Sequence, residues 1–222
     1  MTEERAATKA CLMRCCFAWT QEVRGNLSKH PEITPTVVAV EAEAETANPT
    51  PDLEYIQALA SALVALLPAS YESLSSLLSM SRPKAVYKLH FSIFASLDRS
   101  AFNPLEQDGL QYLLSEYLHN VRSTEAYAAW KAGLVLGEGW LSARSEGLLQ
   151  RLIATARYPA GRLGAINGYR FIMQRRKTYT AKEFGVIRRA ARTDTSLRVR
   201  EAAAFWTKQL RQMQIEDEAT SR

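Results

Sequence analysis

Arginine and lysine are the residues with the most chemistry to offer in this sequence. Sixteen Lys and Arg against four Asp and Glu lie between Leu141 and Gln214, an excess of 12 positive charges; the rest of the chain carries an excess of 7 negative ones, for a formal net charge of +5. A positive field concentrated in one half attracts an acidic protein, a nucleic acid or an anionic membrane surface. Arg170, Arg175, Arg176 and Lys177 fall at the end of one predicted helix, and Arg188, Arg189 and Arg192 at the end of the next, with Tyr179 between them. Arg175, Arg176, Lys177, Arg188, Arg189 and Arg192 have no acid within helical reach. These eight residues are the candidate partner-binding set, and Tyr169 and Trp206 join Tyr179 as aromatics able to stack on a base or cover a peptide. Cations near a helix C-terminus also complement the helix dipole and bind its free carbonyls, so part of the set has a competing structural use.

Other chemistry is sparse. No Gly-rich loop ends in Lys followed by Ser or Thr, and no His-Glu-x-x-His occurs. The three histidines, His30, His90 and His119, stand apart, although Glu116 lies close enough to His119 for a local hydrogen bond. Glu106 and Asp108 sit at a predicted helix start, where negative charge is stabilising on its own account. The three cysteines are Cys11, Cys15 and Cys16. Cys11 and Cys15 share a helical face, but a metal site needs further ligands and the nearest is His30. They read as small buried apolar residues of a reducing compartment. No catalytic residue, metal ligand or cofactor is assigned.

The elements that position the basic residues follow from length and pattern. With 222 residues, 47% hydrophobic and 23% charged, the chain has one medium domain or two small ones. A collagen, a disulfide scaffold and a wholly disordered chain are excluded. No run is long and apolar enough to span a bilayer, and Glu3 and Glu4 before Arg5 and Lys9 do not make a secretory leader. A cytoplasmic location is expected. An amphipathic N-terminal helix over 1–25 is predicted from Leu12, Cys16, Trp19 and Val23. Pro31, Pro35, Pro49 and Pro51, with the alternating Glu41, Glu43 and Glu45, predict a disordered acidic linker over 26–51. Helices are then predicted at 52–67, 70–80, 83–97, 105–121, 123–137, 143–156, 159–176, 180–192 and 196–214, forming one domain over 52–214 before an acidic tail at 215–222. The expected class is all-α.

Alternate helices repeat. Leu74, Leu77 and Leu78 recur as Leu110, Leu113 and Leu114, then as Leu149, Leu152 and Ile153, and more loosely as Phe184 and Ile187, at offsets of 36, 39 and 35 residues. That is the period of paired-helix repeats, each unit burying its apolar face on the next. The final unit adds Asp194, Val199, Arg200, Ala202 and Ala203, and Arg162 and Ala165 stand thirty-eight residues before Arg200 and Ala203. This pattern resembles the HEAT repeat, with an Asp in the turn and an Arg six residues later. The resemblance implies an α-solenoid of about four hairpins, with Arg200 reaching back to Asp194. It also implies a non-catalytic scaffold that binds a protein partner on a concave face or on the basic C-terminal repeats. Nucleic-acid binding through the basic half is the alternative. The HEAT-like alkylpurine DNA glycosylases are a further one, but their acid beside aromatic residues is not reproduced: Lys131 follows Trp130, and Glu138 meets Trp140 only across a glycine.

Overall fold

In the computed structural model, which describes residues 3–14, 19–81, 85–98, 100–122, 126–140, 142–176 and 180–220, every regular element is helical and no strand occurs among those residues. The chain divides into two compact units, Met1–Glu106 and Gln107–Arg222. The expected single domain over 52–214 is therefore split within its fourth predicted helix. No helix among the described residues is long and apolar enough to cross a membrane.

The first unit holds α1 (Glu3–Met13), α2 (Thr20–Leu27), α3 (Pro35–Ala47), α4 (Leu53–Ala65), α5 (Tyr71–Ser79) and α6 (Val86–Asp98). Its centre is α4, buried on all sides from Ala58 to Ala65 and packed by α1, α2, α3 and α6. A helix apolar all round has no solvent face, so it must be enclosed by others. Asp52 caps it, accepting from the Glu54 and Tyr55 amides at 3.1 Å each, and receives Lys9 Nζ from α1 at 3.0 Å.

Two N-terminal expectations are corrected. The single helix over 1–25 is instead α1 and a separate α2, which runs past Gly25 to Leu27. Trp19, expected on the apolar face, is 64% exposed, and Cys15 and Cys16 lie outside the described residues. The stretch 26–51, expected to be disordered, contains α3. Thr34 caps that helix through the Val37 amide, Pro35 occupies its first turn, where a missing N–H costs nothing, and Pro49 follows its end. Val38, Ala42 and Glu45 form its buried stripe. The glutamates act as acceptors: Glu45 Oε1 takes the Asp52 amide at 2.7 Å, and Glu41 Oε2 takes the Tyr55 hydroxyl at 3.2 Å.

The second unit holds most of α7 (Pro104–Asn120), then α8 (Ala126–Leu134) running into a π-helical turn at Val135–Gly139, α9 (Ala143–Thr155), α10 (Pro159–Arg176), α11 (Ala181–Thr193) and α12 (Leu197–Thr220). α12 continues through 215–220, where a separate acidic tail is expected. The predicted repeat leucines are buried in both units; only Phe184 is half-exposed. Thr180 and Glu183 form the predicted capping box of α11, and Ser142 caps α9 through the Ser145 amide. Ser70, predicted to cap α5, instead donates to the Leu63 carbonyl at 2.5 Å.

Helix α10 packs against α8, α9 and α12, most closely against α8. A Cβ added to Gly133 would lie 1.9 Å from the Gly164 carbonyl oxygen, and one on Gly137 would lie 2.1 Å from that of Gly168. The approach is reciprocal: Gly164 faces the Ala129 oxygen at 2.3 Å and Gly168 the Gly133 oxygen at 2.1 Å. No described glycine has a positive φ, so these four are selected by space alone. The Gly137–Gly139 segment, expected as a simple turn, is the π-helical extension that lays Gly137 on Gly168. Gly164→Ala should lower stability by about 1 to 3 kcal/mol, because one backbone must move from another. Gly147→Ala, with nothing within 4 Å, should be neutral or raise it by up to about 1 kcal/mol. Urea unfolding of the two variants measures the contrast.

Candidate functional site

The basic half of the sequence maps onto α9 to α12, and its arginines divide by what they touch. Arg162, only 11% exposed at its side chain, donates from Nε to Asp194 Oδ2 at 2.7 Å and from Nη2 to Oδ1 at 3.0 Å. Its Nη1 takes the Ala156 carbonyl at 2.8 Å. Asp194 Oδ1 also accepts the Ser196 amide at 2.8 Å, so one carboxylate joins α10 to the turn between α11 and α12. The expected Arg200–Asp194 side-chain pair is corrected: Arg200 Nη1 donates to the Asp194 backbone carbonyl at 2.7 Å. The two arginines are equivalent, each binding the carbonyl six residues before it. The turn carboxylate pairs with the preceding hairpin's arginine because its own is already engaged with the backbone.

The candidate partner-binding residues are not alike. Arg170 is held between rings, 4.0 Å from the Phe171 centroid and 3.8 Å from that of Trp206, while donating to Asn167 and Gln174. Arg175 donates to the Glu138 carbonyl at 2.8 Å, the dipole-complementing use foreseen for cations at a helix end. Arg176 meets Glu146 from α9 and Glu183 from α11. Sequence inspection found no acid within helical reach of it because both partners come from other helices. Lys177 and Tyr179 lie outside the described residues. Arg188, Arg189 and Arg192 are exposed on α11, and no ion pair or hydrogen bond engages their guanidinium groups among the described residues. The structure thus brings these three together on one helix and ties Arg170, Arg175 and Arg176 into the fold.

The proposed aromatic contacts divide in the same way. Tyr169 is fully buried; its hydroxyl accepts from Gln150 at 3.0 Å and donates to the Glu183 carbonyl at 3.3 Å, and burial pushes its pKa up to about 12. Trp206 is half-buried against Arg170. Phe205 beside it is 54% exposed and Leu197 60%, neither of which was singled out from sequence. Sequence inspection also passed over Arg122, Arg157 and Arg198, which sit in or beside successive interhelical turns. The signal that finds them is recurrence of arginine beside each turn, visible once the turns are aligned.

The histidines do not converge. His90 is 1% exposed, with Nε2 donating to the Leu77 carbonyl at 2.8 Å. His30 pairs with Glu32 at 3.0 Å. His119 is half-buried, and the Glu116 carboxylate contacts the Asn120 side chain instead. Among the described residues no group of three His, Cys, Asp or Glu is placed to hold a metal. Burial raises the pKa of the Cys11 thiol. Comparison with known proteins finds no matching family model, no matching curated protein and no matching solved structure.

Two stability predictions follow from these contacts. Asp194→Ala leaves Arg162 charged and nearly buried, and should cost about 3 to 5 kcal/mol, against about 1.5 for Arg200→Ala; urea midpoints test the order. Burial holds His90 down to about 4. The unfolded chain, with an ordinary imidazole pKa near 6.5, then binds the proton more readily, so stability is present above about 6.5 and lost as pH falls towards 4. His90→Gln should remove about 3 kcal/mol of that acid sensitivity, read as the difference between urea stabilities at pH 7 and pH 4.

Proposed function

We propose that this chain is a non-catalytic protein-binding module that takes an acidic partner on its basic C-terminal helices, and that Gln107–Arg222 is built from HEAT-like hairpins. The observation that carries the binding reading is the unpaired trio Arg188, Arg189 and Arg192, exposed on α11 while neighbouring arginines are spent inside the fold. Unpaired surface guanidinium groups on one helix offer planar, multidentate donors to carboxylates. Exposed Leu197 and Phe205 on α12 supply apolar area of the kind an interface core needs.

The hairpin reading rests on two regularities. Arg162 and Arg200 occupy equivalent positions and make the same bond to the carbonyl six residues earlier. Each later helix packs against the helix two along the chain, α9 with α11 and α10 with both α8 and α12, as stacked hairpins require. Nucleic-acid binding is the second reading, favoured by the same three arginines, and salt dependence separates the two. Phosphate contacts release counterions and make affinity fall steeply with salt, whereas a mixed apolar and charged protein interface responds less.

Charge reversal at Arg188, Arg189 and Arg192 together, each to Glu, should weaken capture of an acidic partner at least tenfold and leave the melting temperature within a few degrees. Arg176→Glu should do the opposite, lowering the melting temperature by breaking the contacts to Glu146 and Glu183. Pull-down with mass spectrometry, duplex DNA titration at two salt concentrations and thermal unfolding of both variants read these outcomes. Unchanged capture by the triple variant overturns the assignment.

A further inference from the structure

Three successive turns of the second unit meet around Tyr158. Arg122 follows α7, Arg157 and Tyr158 lie between α9 and α10, and Ser196 and Arg198 flank the start of α12. The Arg122 and Arg157 guanidinium carbons sit 5.7 Å and 5.5 Å from the Tyr158 ring centroid, both within the range of a cation–π contact. Beside the ring is a pocket of about 250 Å³ lined by Arg122, Tyr158, Leu163, Ser196 and Arg198, with Ala126, Pro159 and Ala160 completing its wall.

The electrostatics of this pocket are one-sided. No carboxylate lines it, and none pairs with Arg122, Arg157 or Arg198 among the described residues. The neighbouring acid of the α11–α12 turn, Asp194, is consumed by Arg162, and Glu201, one helical turn after Arg198, makes no ion pair with it. The N-termini of α10 and α12 open beside the pocket, adding partial positive charge of the same sign. An anion would neutralise a region that the protein leaves uncompensated, and stacking on Tyr158 holds two of the guanidinium groups ready for it.

The wall decides the rest of the ligand. Ala126, Pro159, Ala160, Leu163 and the Tyr158 ring are apolar, and the volume exceeds that of a bare inorganic anion while falling short of a drug-sized molecule. From this combination we propose that the pocket binds an oxyanion carried on a small apolar stem, as an acidic or arylphosphate side chain of a partner peptide presents it. The stem lies on the Leu163 and Tyr158 side, and the carboxylate or phosphate meets Arg122 and Arg198, with the Ser196 hydroxyl as a further donor. The site does not rest on the α11 arginines, none of which lines it.

The test is a titration of the isotope-labelled full chain, following the backbone amides of Tyr158, Ala160 and Ser196 by NMR. Phenylacetate and phenyl phosphate are the probes, with inorganic phosphate and benzyl alcohol as controls. Saturable shifts at those amides are expected for at least one aryl anion, at least tenfold tighter than for either control and weaker at high salt. The aryl anion that binds better tells carboxylate from phosphate. Arg122→Gln with Arg198→Gln should weaken binding at least tenfold, and Arg198→Gln alone keeps the comparison available if the double variant unfolds. Absence of saturable shifts with both aryl anions, equal binding of either control, or unchanged affinity in a folded variant overturns the proposal. Because the readout is a small molecule at named amides, its failure is separate from any failure of partner capture by α11.

Discussion

The close crossing of α8 and α10 is the constraint on which the second unit depends. With Gly133 and Gly137 set against Gly164 and Gly168, backbone meets backbone and no side chain separates the helices. At that distance the pair has essentially one register, because sliding by a residue would drive a Cβ into a carbonyl. Helix α10 also packs on α9 and α12, so the crossing fixes where those helices lie. The exposed face of α11 is carried on α9 and α12, and the turns around Tyr158 on the ends of α10 and α12.

The arginines show how a fold spends charge before any is left for binding. The bidentate pair of Arg162 with Asp194 is nearly buried, where an unpaired charge would be costly, and its geometry satisfies both groups. Arg176 bridges α9 and α11, and Arg170 stands between two rings. An excess of basic residues is therefore a poor guide to a binding face until the internal uses are subtracted. What remains is a smaller set on α11 and a second around Tyr158.

Much of the fold was legible in the sequence because helix periodicity is local. The leucine series predicted the buried faces of alternate helices, and Thr180 with Glu183 marked the start of α11. The region before residue 52 was misread for a physical reason. Prolines at both ends of a segment and glutamates within it look like a linker, but Pro35 and Pro49 bracket a helix, and Glu41 and Glu45 find donors on neighbouring residues that composition does not reveal. The site was less legible. Arg176 finds Glu146 thirty residues away, and the turn arginines around Tyr158 converge only after the hairpins have packed.

The π-helical turn at Val135–Gly139 gives the second unit an uneven tolerance to changes of length. A π turn holds one residue more than an α turn over the same rise, so losing one residue there would restore ordinary α geometry and swing whatever follows by about 100° around the helix axis. Gly137 would then no longer face Gly168, and the segment leading to α9 would leave from a different side of the helix. A point substitution in this segment alters one contact, whereas a single-codon deletion changes the phase of everything after it. In the descent of such a chain, the five residues from Val135 form a reading mark: sequences that keep their number can drift, and sequences that lose one must find another way to pack.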